Sequence, residues 1–290
     1  MTDLAQLLQY LISGITAGSV YAMVGMCWSV VFIVTGILNF ATGEFVMLGG
    51  MLTWIFMGFG LGLAPAAALA IVVTIMAGLL LERAVLRPAG SGSEMTFMVL
   101  TIASASIIKG FVLLTCGSET RTIPSFIANK QFAIAGATIT SQALLVIGVL
   151  IVISAALSLF FNRTLVGKAL QATAINPKGA ALVGIRTTRM AVCCFVLAGG
   201  LGAVAGIVIA PITFTGYNIG LMTGMKGLVA AIVGGWRMAG TLWAGIILGL
   251  LEGLFGGFIS AGWKDAIALV VMILFLVYQT LSGAYGVKKV

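Results

Sequence analysis

Two carboxylates, two lysines and an amide stand in or beside stretches otherwise fit for lipid. Asn39 and Glu44 lie in LNFATGEFVMLGG (38–50), Lys109 in TIASASIIKGFVLL (101–114), and Glu252 in LGLLEGLFGG (248–257); Lys226 opens the short apolar piece MKGLVAAIVGG (225–235). Ionisable groups at membrane depth are expensive, and by default they face the protein interior or a watery path. Three roles compete for Asn39 and Glu44: hydrogen bonding between helices, contact with a solute, or a proton site. Glu252 faces the same choice. A carboxylate at that depth persists only if paired or neutral. Glu44 is therefore expected to accept hydrogen bonds from backbone or hydroxyl groups and to pin an irregular turn beside Asn39, among Gly36, Gly43, Gly49 and Gly50. Lys109 follows Thr101, Ser104 and Ser106. Its long side chain can snorkel to the outer surface or pair structurally; turned inward, it is a point charge for an anionic solute or a carboxylate.

The elements that hold these groups follow from composition. The chain has 290 residues, 61% hydrophobic and 8% charged, with a mean hydropathy of +1.22. Soluble domains carry about a quarter charged residues, and runs of about 20 apolar residues match the hydrocarbon core of a bilayer. The reading is an all-α, polytopic transmembrane helical bundle of about 8–10 spans, including one short or re-entrant helix. Spans are expected near 6–35, 40–58, 64–82, 94–116, 142–161, 191–211, 240–258 and 264–284, with the short piece at 224–235. Glycine, 39 residues in all, lets helix backbones approach closely, as at Gly202 and Gly206 in AGGLGAVAG. The N-terminus lacks the basic flank of a cleavable signal, so the first run is expected to stay as a span. Cys27, Cys116, Cys193 and Cys194 have no disulfide or metal spacing and read as small hydrophobes. The net charge of +8 is scattered between apolar runs, which argues for topology and not for nucleic acid. No internal repeat between the halves is evident, and residues 1–290 read as a single domain.

Orientation comes from the segment 162–190, which carries Arg163, Lys168, Lys178, Arg186 and Arg189 and no acidic residue. The positive-inside rule puts it in the cytoplasm, together with Arg83, Arg87, Arg237, Lys288 and Lys289. Arg121, Lys130, Lys226 and Lys264 then fall outside. The N-terminus is outside if 6–35 is one span, and the C-terminus inside if 224–235 crosses. Within the cytoplasmic segment, LQATAINPKGAALVGI (170–185) reads as two short helices broken at Asn176-Pro177, with Asn176 as N-cap and Pro177 in the first turn. Ala180, Ala181, Leu182 and Val183 give a small apolar face closed by Gly184. That face either docks on a cytoplasmic partner or lies against anionic lipid. No lysine is followed by Ser or Thr, so there is no phosphate-binding loop, and any use of ATP belongs to another chain.

Four ordered blocks resemble one family. GILNFATGEFVMLGG (36–50), NPKGAALVGIRTTRM (176–190), MKGLVAAIVGG (225–235) and WKDAIALVVMILFLV (263–277) are similar to the membrane subunits of bacterial ABC importers in the branched-chain amino-acid permease family. The resemblance implies a non-enzymatic permease of the inner membrane with no cofactor of its own. It implies a second related permease subunit, two cytoplasmic ATPase subunits that bind ATP, and a periplasmic solute-binding protein. Ala174, Asn176, Pro177, Ala180, Val183 and Gly184 become the coupling element, and Asn39, Glu44, Ser106, Lys109 and Lys226 the gate and path. Three positions depart from the family pattern: Thr42 where His is frequent, Lys109-Gly110 where a Gln-Asn pair is frequent, and Trp236-Arg237 where a Gly-Ser turn is usual. The expected solute is an amino acid, with urea, amides and carboxylates as alternatives. An ion-coupled secondary transporter using Glu44 and Glu252 is the alternative from another class, and a purely structural membrane subunit is a third.

Overall fold

The computed structural model describes residues 3–90, 92–128, 130–134, 136–258, 262 and 264–281. Eleven α-helices carry them: α1 (Asp3–Thr35), α2 (Thr42–Gly58), α3 (Leu63–Leu80), α4 (Glu94–Cys116), α5 (Ser141–Arg163), α6 (Leu165–Ile175), α7 (Pro177–Leu182), α8 (Thr187–Thr213), α9 (Ile219–Val233), α10 (Met238–Phe258) and α11 (Lys264–Leu281). The chain is an all-α membrane bundle. Six of these helices, α1, α3, α4, α5, α8 and α10, are long and apolar enough to cross a bilayer, while α2 and α9 are short.

Hydroxyl and amide side chains set where several helices begin. Ser93, Thr140, Thr164 and Asn176 each accept a hydrogen bond from a backbone N–H in the first turn that follows, satisfying donors that a helix start leaves open. The segment after α4 forms an antiparallel hairpin, Gln131–Ile134 with Ala137–Thr140, which no feature of the sequence had suggested. Gln9 near the start of α1 accepts from Thr138 N at 2.8 Å, so α1 begins on the hairpin side. At its other end, Val34 and Thr35 share a cavity wall with Arg87, Pro177 and Thr187. By the charge rule the hairpin side is outer and the α6–α7 side is inner. The run 6–35 is thus one continuous helix, starting outside.

Small residues decide the packing. Gly14, Gly18 and Gly25 of α1 face Gly249, Gly245 and Thr241 of α10, and a Cβ at Gly18 would come within 2.8 Å of the Gly245 carbonyl oxygen. The two helices are antiparallel. The same relation joins α3 to α8, where Gly78 meets Phe195 and Thr74 meets Gly199. Gly202 and Gly206 of α8 seat Phe45 and Val46 of α2, so the glycine pair that signalled packing does pack. α9 starts beside Ala17 and Val20 in an outer cavity, and the turn after it stacks Trp236 on Phe32 near the inner end of α1. The short piece therefore crosses from outer to inner side along α1, as α2 runs along α8.

These pairings make α1–α3 and α8–α10 inverted copies of one arrangement. In each, a full-length helix is followed by a break and a short helix. The repeat is absent from the residue pattern because it resides in direction and contact rather than in matching side chains. Short interrupted segments at equivalent positions of inverted halves are where transport proteins build their sites.

Candidate functional site

The first break is residues 36–41, between α1 and α2. Gly36 takes φ +69°, a conformation open to glycine, and turns the chain out of α1. Asn39 then organises the backbone: its Oδ1 accepts from Ala41 N at 3.2 Å, and its carbonyl accepts from Thr42 Oγ1 at 2.7 Å and Thr42 N at 3.0 Å. Thr101 Oγ1 of α4 donates to Leu38 O at 3.2 Å. Thr101 is seven residues into α4, about 10 Å along its axis, so the irregular backbone lies within the bilayer and is tolerated because protein encloses it.

Glu44 differs from expectation. It is buried in the first turn of α2, but among the described residues no backbone or hydroxyl group donates to its Oε2, and Asn39 Nδ2 likewise has no partner. Asn39, not Glu44, pins the turn. The Oε2 of Glu44 is left without a hydrogen bond, and Lys109 is within electrostatic range without forming an ion pair with it among the described residues.

The second break is residues 214–218, between α8 and α9. Lys109 Nζ donates to Asn218 Oδ1 at 2.7 Å and lies 5.5 Å from the centre of the Tyr217 ring. Lys109 is therefore paired and does not snorkel freely. Thr215 exchanges backbone hydrogen bonds with Arg121, 2.7 and 2.9 Å, which ties this break to the outer segment. The starts of α2 and α9 cross where Gly43 meets Gly220 and Gly224; a Cβ at Gly224 would stand 2.8 Å from Gly43 Cα, and one at Gly220 2.9 Å from Glu44 Oε2. Two helix N-termini, each carrying partial positive charge, thus converge on a buried carboxylate. A cavity of ≈340 Å³, lined by Tyr21, Thr120, Tyr217, Asn218 and Thr223 among others, leads to Asn218.

Two other predicted path residues lie elsewhere. Ser106 is on the exposed side of α4, its hydroxyl donating to Ile102 O at 3.0 Å, and does not join Glu44. Lys226 is not an outer charge. It is 8% exposed inside α9, donating to Glu252 Oε1 at 2.9 Å and Tyr21 Oη at 3.2 Å. Its position two turns into α9 puts it below the outer surface, and burial of the ammonium requires the carboxylate. Asn218 escaped the sequence reading; its only signal was a polar pair, Tyr217-Asn218, just ahead of a short helix.

A family described as branched-chain amino acid transport system / permease component matches residues 10–276. The chain belongs to this permease family. It is 31% identical to the high-affinity branched-chain amino acid transport system permease protein LivH of Escherichia coli K12, over 98% of this chain and 97% of LivH. The corresponding protein BraD of Pseudomonas aeruginosa is 28% identical over 100% of this chain and 99% of its own length. The autoinducer 2 import system permease protein LsrC of Salmonella paratyphi B is 27% identical over 63% of this chain and 54% of LsrC.

This permease component presents α6 and α7 on its inner side. Asn176 Oδ1 accepts from Gly179 N at 2.9 Å, Pro177 opens α7, and Gly184, at φ +88°, ends the segment with Ile185 N donating to Ala180 O at 3.0 Å. Ala180 is buried, so the expected face is carried by its neighbours. Leu182 and Val183 are 89% and 77% exposed, Ile175 is 72% exposed, and Ala174 lines an inner cavity.

Proposed function

We propose that the chain is the translocation subunit of an ATP-driven importer for an amino acid, branched-chain first, working by alternating access. The observation that carries this reading is the crossing of the α2 and α9 starts beside Glu44, Lys109 and Asn218. An amino acid carries one carboxylate and one ammonium, and a gate built from a carboxylate and a lysine matches both. In this arrangement Lys109 holds Asn218, within electrostatic range of Glu44. Separating α4 from the α2–α9 crossing frees both charges for the solute.

ATP hydrolysis belongs to partner chains: two cytoplasmic ATPase subunits, a second related permease subunit and a periplasmic solute-binding protein. The apolar side chains Ile175, Leu182 and Val183 on the basic inner segment suit a groove on the ATPase, in the manner of a short helix entering an apolar cleft. Force reaching α6 passes to α5 and the inner end of α1, which leads into the Asn39 turn. The chain with its partners, reconstituted in liposomes, is expected to take up radiolabelled leucine only with ATP and the binding protein present. Uptake that survives ATP depletion and stops when the proton gradient collapses would assign Glu44 and Glu252 to ion coupling instead.

A further inference from the structure

The turn from α9 to α10 holds an uncommon backbone. Trp236 sits at φ +63°, a region that bulky residues seldom enter. Its neighbours hold it there: Trp236 N donates to Ala231 O at 2.8 Å, and its ring stacks on Phe32 with centroids 3.9 Å apart. Strain held in this way points to a role for what it positions. What it positions is Arg237, on the wall of an inner-side cavity of ≈740 Å³ between α1, α5, α6 and the start of α10.

The cavity is graded. Among the described residues Arg237 is the only charged one lining it, and Asn162 and Gln171 stand with it at the inner end. Ser154 and Ser158 continue along α5; with Asn162 they recur every four residues, forming one stripe about 12 Å long. Val30, Ile33 and Phe161 supply apolar wall. A cation and amides at the membrane surface, with the α5 hydroxyls and Val30 deeper in, repeat the order of groups along a phospholipid. The inner leaflet is where anionic lipids meet basic pockets between helices.

We propose that this cavity binds one anionic phospholipid of the inner leaflet, with its phosphate on Arg237, Asn162 and Gln171 and its acyl chain against Val30 and Ile33. The volume accommodates a headgroup, the glycerol and the first part of a chain, and the bound lipid lies against α6, next to the segment that docks partners.

The test is native mass spectrometry of the assembled complex, delipidated in detergent and titrated with dioleoyl phosphatidylglycerol or dioleoyl phosphatidylcholine. One phosphatidylglycerol per chain is expected to bind ahead of phosphatidylcholine. Arg237→Gln should weaken that binding about fivefold, the worth of one basic contact at a membrane surface. Arg237→Lys should keep most of it, and Ser158→Trp, which fills the cavity without altering charge, should lower it. Arg163→Gln, outside the lining, should change nothing. Equal binding of the two lipids, or phosphatidylglycerol binding indifferent to Arg237→Gln, overturns the proposal. So does an Arg237→Gln complex that sheds its ATPase subunits while lipid binding is unchanged, since the face would then belong to a protein partner.

Discussion

Lys226 of α9 and Glu252 of α10 form a buried ion pair of 2.9 Å, and the Tyr21 hydroxyl of α1 lies 3.2 Å from the same ammonium. The triad joins the short helix to the two long ones that flank it. Removing the lysine leaves the buried Glu252 carboxylate without the ammonium that neutralises it, which costs about 3–5 kcal/mol. Lys226→Met is therefore expected to lower the melting temperature of the detergent-solubilised complex sharply, and Glu252→Leu, which withdraws the carboxylate 2.9 Å from the ammonium, to lower it as well. Combining them removes both charges and should recover most of the loss. A double variant as unstable as the worse single one would show that the pair does not act as a unit.

Glycine contacts set a second expectation. A Cβ at Gly206 collides with the Val46 carbonyl and one at Gly43 with the Gly220 carbonyl, whereas Gly148 has open space around it. Backbone cannot move aside as a side chain can, so Gly206→Ala and Gly43→Ala should cost about 1–3 kcal/mol from overpacking. Gly148→Ala should be neutral or slightly stabilising, since alanine favours helix. Size-exclusion profiles of the three variants decide the matter; equal behaviour would mean that the close approaches are not maintained.

Much of this architecture is legible in the sequence because hydrocarbon imposes simple rules. Apolar run length marks the spans, and basic residues mark the inner side. Asn176-Pro177 announces the break between α6 and α7 through local capping chemistry alone. The tail lysines Lys288 and Lys289 lie outside the described residues. What the sequence hides is long-range: Lys226 and Glu252 belong to different apolar runs, and nothing in either says that they meet. Lys226 reads as a loop charge because α9 is too short to be recognised as a full span. Asn39 and Glu44 stand out together in the sequence, but the division of labour between them depends on which one reaches Ala41 N, and only the fold decides that.

That division gives a third prediction. Asn39 is fully buried and holds the turn through Ala41 N, so Asn39→Ala should lower stability by about 1–3 kcal/mol, the cost of a buried donor left unsatisfied. Glu44→Gln keeps the shape of the side chain and removes only its charge. Assembly is expected to be normal while uptake falls, and Lys109→Gln should act in the same direction. Because each charge lies within electrostatic range of the other, the double variant should be less impaired than the product of the single losses. If Glu44→Gln instead dissolves the complex and leaves the transport rate of surviving material intact, the carboxylate is structural.

The last prediction concerns α7. Two kinds of change separate its shape from its surface. Asn176→Ala removes the N-cap bond to Gly179 and should cost about 1 kcal/mol locally, while Gly184→Val forces a β-branched residue to φ +88°, where only glycine is at ease. Both alter how the helix is presented. Leu182→Asp and Val183→Asp leave the backbone as it is, since these side chains are 89% and 77% exposed, and change only what a partner would touch. If α7 enters a groove on the ATPase, the two surface variants should fold with unchanged melting temperature, yet lose ATP-dependent uptake and weaken ATPase co-purification. Cysteines placed at 182 or 183 should cross-link to the ATPase. Surface variants that transport normally, with cross-links landing on lipid, would return the segment to an ordinary juxtamembrane loop. Shape variants that fail while surface variants succeed would mean that α7 only supports α6 and makes no contact of its own.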